Sequence, residues 1–168
     1  MGFPEERDLA ERALAAVDRD GEDPQFPPVA KRFARAREAL GLSQADVAER
    51  WHQPLSMYWD LEFHDSEAFD VIAVRDLRRL AEILRVSVFS LLFGEEPSSP
   101  VLPVSYTEIV GRLVETMDAQ RVSIDEMSDR VGVELGEYLH DPGRLGELPI
   151  YELRWICQPV GVDWVAAL

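Results

Sequence analysis

Three histidines, one cysteine and an abundance of carboxylates are the side chains of this 168-residue chain with the means to do chemistry. His52, His64 and His140 show no metal-ligand spacing, and a useful zinc site needs three or four converging ligands, so they read as surface or loop histidines. Cys157 stands alone, which excludes a disulfide framework and a zinc site on paired thiolates. It falls where a small buried apolar residue is wanted and reads as one. There is no glycine-rich phosphate loop, no nucleophile elbow and no carboxylate pair on a shared scaffold. The expectation is a protein that is not an enzyme and has no cofactor or metal.

What remains is charge and apolar surface. Asp plus Glu number 32 against 17 Lys plus Arg, a net charge of −15. Such an excess repels nucleic acid and anionic membranes unless the few cations gather on one face. The only dense cationic cluster is Lys31, Arg32, Arg35 and Arg37. From Trp51 to Val74 there is no Lys or Arg, while Asp60, Glu62, Asp65, Glu67 and Asp70 all fall there. No apolar run approaches the roughly 20 residues that cross a bilayer. The acidic beginning, MGFPEERDLAERALA, has no signal-peptide core, so a cytoplasmic protein with no membrane partner is expected.

The elements that must position these side chains are helical. A hydrophobic content of 46 % with 29 % charged residues is the balance of a packed globular chain, and no segment sustains the alternation of a strand. The fold class is all-α. Three Pro- and Gly-rich stretches, GEDPQFPP, GEEPSSPVLPV and DPGRLGELP, punctuate the chain. They divide it into an N-terminal amphipathic helix and Pro-rich loop over 1–28, a domain over 29–93, a Pro/Ser linker over 94–104 and a second domain over 105–168. In the arm, Leu9, Ala13, Leu14 and Val17 share one side. In the first domain five short helices are expected: Val29 to Leu40, closed by Gly41; one opened by Ser43; Leu55 to Phe63; Asp70 to Leu84, with Val74, Leu77, Ala81 and Leu84 inward; and VFSLLF, capped by Ser87. Ser43 with Asp46 makes an acidic capping box, worth about 1 kcal/mol.

The second half repeats the first. An offset of 80 brings Arg32 onto Arg112, Ala39 onto Ala119, Ser43 onto Ser123, Asp46 onto Glu126, Arg50 onto Arg130, Leu55 onto Leu135 and Tyr58 onto Tyr138. An offset of 76 brings Asp76, Leu77, Arg78, Val86 and Leu92 onto Glu152, Leu153, Arg154, Val162 and Leu168. The change of offset implies a shorter loop before the fourth helix of the second copy. Agreement of caps, apolar positions and helix order together points to a duplication. Each copy of about 65 residues is near the lower limit for an independent core, so the copies are expected to pack on each other or on the arm. Pro159 falls within the last long helix of the second copy and should end or kink it.

The run RFARAREALGLSQADVAERW, followed by YWDLE and LRRLAEILRVSVFSLL, resembles the Xre family of lambda-repressor-like and Cro-like helix-turn-helix proteins. Arg37, Gly41, Leu42, Ser43, Gln44, Val47, Ala48, Glu62, Leu77, Leu80, Ala81 and Leu84 carry the match over 29–93, and a degenerate second match covers 106–168. The resemblance implies two tandem five-helix domains and a structural ion pair between Arg37 and Glu62. The second copy has Met117 and Pro142 in their places, and losing both partners of a buried pair together is far less costly than losing one.

The resemblance also implies DNA binding, with the third helix in the major groove. For that function Lys31, Arg32, Arg35, Ser43 and Gln44 are the candidate contacts, and either the tandem copies or two paired chains would present the two readers. The third helices point elsewhere. With Tyr58 and Leu61 in the core, Leu55 and Trp59 lie where base-reading side chains would sit, and Leu135 and Leu139 repeat the pair. Flanked by acids, these look like a surface for a protein partner that is basic or has an apolar groove, formed by Leu55, Met57, Trp59, Asp60, Leu135, Glu137 and Leu139. The other reading of the two pairs is that they fill the contact between copies. An antitoxin-like, immunity-like or co-regulator role is expected, with a DNA-binding repressor as the alternative.

Overall fold

The computed structural model describes residues 29–94 and 101–168; the amphipathic segment predicted over 5–19 and most of the linker lie outside them. The described chain is all-α. No strand occurs among the described residues beyond one isolated bridge, Ala73 to Pro149.

In the first half, α1 (Val29–Ala39) buries Val29, Ala30 and Phe33, and Gly41 follows in the left-handed conformation at φ 66°. Ser43 then caps α2 (Gln44–Trp51): its hydroxyl accepts from the Asp46 N–H at 3.1 Å, and the Asp46 carboxylate accepts from the Ser43 N–H at 2.7 Å. Two orphan amides are thus satisfied reciprocally. Pro54 starts α3 (Leu55–Phe63).

The fourth helix begins later than expected. Residues Glu67–Asp70 form a separate single turn, α4, and α5 runs Val74–Leu84. Ala73 is extended between them, and the Val74 N–H, which a helix start would leave without a partner, donates to the Leu148 carbonyl at 2.9 Å. The break buries Phe69 and Ile72 together with Val74, Leu77, Leu80, Ala81 and Leu84. Ser87 caps α6 (Val88–Phe93), accepting from the Ser90 N–H at 2.9 Å.

In the second half the helix opened by Ser123 falls at the predicted offset, and the other elements differ in length. Helix α7 (Tyr106–Gln120) is capped by Ser105, and α8 (Ile124–Val131) opens with the Ser123/Glu126 box. Helix α9 (Gly136–His140) is much shorter than α3 and runs into a 3-10 turn, Pro142–Glu147. Helix α10 (Ile150–Cys157) stops just before Pro159 and tightens into the 3-10 turn Gln158–Val160, as a ring lacking an N–H requires. A last 3-10 turn, Trp164–Ala167, stands where α6 stands in the first half. Left-handed closures recur in the same register: Gly41 with Arg121, His52 with Gly132, Arg85 with Gly161.

The two halves share one continuous core. Ala73 and Pro149, which pair antiparallel, are counterparts at the 76-residue offset. Around them α4 packs on α10 while the 3-10 turn Pro142–Glu147 packs on α5, so the contacts are reciprocal. Counterpart meeting counterpart is the isologous pattern of a two-fold dimer, here within one chain. Phe69 meets Tyr151 at 6.2 Å between ring centroids, and Arg75 pairs with Glu147 at 3.3 Å. Arg78 reaches across to the carbonyls of Ala167 and Leu168 at 2.7 and 2.8 Å, its guanidinium 5.4 Å from the centre of the Tyr106 ring.

Candidate functional site

Helix α3 divides cleanly. Tyr58 and Leu61 are buried, which turns the opposite side outward with Leu55, Trp59 and Phe63 at 49, 43 and 58 % exposure. Spaced four residues apart, they form a single ridge along the helix. The Trp59 and Phe63 rings are stacked, centroids 4.1 Å apart and planes 21° from parallel, and His64 meets Trp59 edge-on at 6.4 Å. Phe63 was not among the predicted site residues, although its spacing from Leu55 and Trp59 is the signal that places it there.

The other predicted members divide. Asp60 is half-buried beside the ridge. Met57 is half-buried and packs against the core. The second half does not repeat the exposed pair. Leu135 is fully buried. It is the residue before α9 rather than the first of a long helix, its N–H donates to the Ser128 hydroxyl at 3.1 Å, and its side chain is drawn into the core. Leu139 is half-buried against the same core. Glu137 is exposed, but its carboxylate is paired with Arg144.

Under the ridge lies the ion pair implied for Arg37 and Glu62. The guanidinium meets the carboxylate in two places, Nε to Oε1 at 2.5 Å and a second nitrogen to Oε2 at 2.9 Å, and Arg37 also donates to the Leu42 carbonyl at 2.9 Å. This is the fork geometry that makes arginine–carboxylate pairs strong. Burial pushes the Glu62 carboxyl up, but hydrogen bonds from Arg37 and Gln44 outweigh it and hold the group below its ordinary range. Arg37 is held above its own, chiefly by the hydrogen bond to Glu62. The Glu62 side chain is only 4 % exposed, so this charge is neutralised and does not face solvent. In the second half Met117 is buried at the counterpart of Arg37.

The predicted DNA-contacting set is largely committed elsewhere. Gln44 gives its amide to Glu62 at 2.6 Å instead of offering it outward. Ser43 is engaged in its capping box. Arg32 is buried, 9 % exposed, donating to the carbonyls of Leu91 at 2.7 Å and of Leu92. Burial lowers its pKa to about 10, partly offset by Asp65. It serves the open carbonyl end of α6 rather than a phosphate. Lys31 and Arg35 are exposed on α1.

Cys157 is buried, and burial first, then Asp163, pushes its thiol up to about 12. His140 contacts its own helix through Nδ1 and the Gly136 carbonyl at 2.8 Å. Among the described residues no three His, Cys, Asp or Glu gather as a metal would need, and no helix is long and apolar enough to cross a membrane. Comparison with family models, with curated proteins and with solved structures finds no match for this chain.

Proposed function

We propose that this chain is a non-enzymatic regulator built from two tandem Xre-like helix-turn-helix units, the second degenerate, and that it acts by binding a protein partner through α3. The role is antitoxin-like, immunity-like or that of a co-regulator, and the cytoplasm is its place of action. One observation carries the reading: Leu55, Trp59 and Phe63 form an exposed apolar ridge on α3, on the side that the family resemblance would assign to base reading. Apolar anchors on a stretch of chain without Lys or Arg suit a protein interface better than a phosphate backbone. The offsets, paired capping boxes and recurring left-handed closures support the tandem reading. So does the Arg37, Glu62 and Gln44 cluster beneath α3.

A second reading, a DNA-binding repressor, is favoured by one feature, the exposure of Lys31 and Arg35 side by side on α1. The two separate in one experiment. The purified chain and its Trp59→Ala variant are titrated with the DNA upstream of their own gene between about 50 and 200 mM salt, and both are used to retain polypeptides from cells that make the protein. The expected result is no saturable DNA shift and a polypeptide retained by the parent chain but not by the variant. A shift that saturates and weakens steeply with salt, unchanged by Trp59→Ala, overturns the proposal.

A further inference from the structure

The exposed side of α3 has a shape, a stiffness and a charge that together specify its occupant. Leu55, Trp59 and Phe63 run four residues apart along a nine-residue helix about 13 Å long. Such a row is the ridge that packs into the groove of a second helix, its axis about 8–10 Å away. The stacking of Trp59 on Phe63 favours one arrangement of two large side chains before anything binds, which reduces the rotamer freedom left to lose.

Charge narrows the choice. Between His52 and Ala73 the chain has no Lys or Arg, while Asp60, Glu67 and Asp70 fall in that stretch; Asp65 also does, but its carboxylate accepts from the Ala30 N–H at 2.9 Å and faces the buried Arg32. The guanidinium of Arg37, which reaches α3 from α1, is spent on Glu62. A second copy of a chain with net charge −15 meets repulsion here. Resting on the reading of α3 as a protein-binding surface, we propose that its occupant is a cationic amphipathic helix. It would lay an apolar stripe with i, i+4 spacing against the ridge and place Lys or Arg beside Asp60. The anchors supply the affinity, and Asp60 with the acidic charge of the stretch supplies orientation and the choice of sign.

The test uses the full chain and two labelled synthetic peptides of about 18 residues. They share the same leucine stripe; one carries lysine on its polar face and the other glutamate. Fluorescence anisotropy is read for the parent chain, Trp59→Ala, Phe63→Ala and Asp60→Asn, each checked for helicity by circular dichroism. Binding of the lysine peptide alone is expected, weakened at least about tenfold by Trp59→Ala or Phe63→Ala and about two- to threefold by Asp60→Asn, with added salt removing the Asp60 effect. If both peptides bind equally and Trp59-dependently, the surface stands and the cationic occupant is refuted. If the lysine peptide binds but ignores Trp59→Ala and Phe63→Ala, attraction by overall charge explains it and the proposal falls. Binding of neither peptide also overturns it, while the retained polypeptide of the preceding experiment judges the surface separately.

Discussion

Replacing Arg37 by alanine strands the Glu62 carboxylate. The side chains are 13 and 4 % exposed and meet in two hydrogen bonds, so Glu62 loses both while staying in place. Removing one partner of a buried pair costs about 3–5 kcal/mol. Gln44 still donates to Oε2 at 2.6 Å, which sets the expectation at the lower end, about 3 kcal/mol. The double variant Arg37→Met with Glu62→Gln leaves no charge stranded and is expected to cost about 1 kcal/mol, so that the coupling against Arg37→Met and Glu62→Gln singly is at least about 2 kcal/mol. Urea unfolding followed by circular dichroism measures all of these.

The acid limb adds a check of sign. In the parent chain Glu62 is held below its ordinary 4.5, so its contribution is present above that value and fades as falling pH protonates it. With Arg37 gone, its hydrogen bonds and charge no longer hold the carboxyl down, so the group rises relative to the parent chain and protonation costs the variant less. The stability gap between Arg37→Ala and the parent chain should therefore narrow as pH falls from 7 towards 4. A gap under about 1 kcal/mol at pH 7, or costs of the two single changes that simply add in the double variant, refutes the coupled buried pair.

Leu55→Ala and Leu135→Ala change counterpart residues and should differ sharply. The first removes an exposed side chain, for less than about 0.5 kcal/mol, and the second empties a buried site, for about 2–5 kcal/mol; equal costs by urea unfolding would contradict the different burial. Ser43→Ala and Ser123→Ala each remove the hydroxyl of a capping box and should cost about 1 kcal/mol apiece by the same assay. Cys157, buried with its thiol pushed up to about 12, should react with an aromatic disulfide reagent at pH 8 only after denaturant is added. Rapid labelling of the native chain would contradict that burial.

Features set by neighbours in the chain were legible beforehand. Ser43 with Asp46 and Ser123 with Glu126 mark the helix starts they cap, and Pro159 marks the end of α10. A resemblance supplied the pairing of Arg37 with Glu62, which no local pattern contains. What escaped reading depended on the other half of the molecule. Nothing between Asp70 and Val74 announces that the Leu148 carbonyl will meet the Val74 amide and let the helix start late. Arg32 looks like Lys31 and Arg35 in sequence, and only the approach of α6 turns it inward. Leu135 has the spacing of Leu55, but it precedes a helix of one turn rather than standing at the start of one with two. Gln44 was placed correctly at the start of α2, and its partner proved to be Glu62.

The antiparallel meeting of Ala73 with Pro149 bears on how many partners one molecule engages. In an assembly of two identical subunits every substitution is written twice, so both sides of the axis keep or lose a docking face together. Two halves of one chain with different sequences are free of that constraint: Leu135 is buried on one side while Leu55 stays outside on the other. On the proposed reading of α3 as a docking face, a molecule so arranged retains the geometry of a pair yet has a valence of one, and its complexes should form with one-to-one stoichiometry.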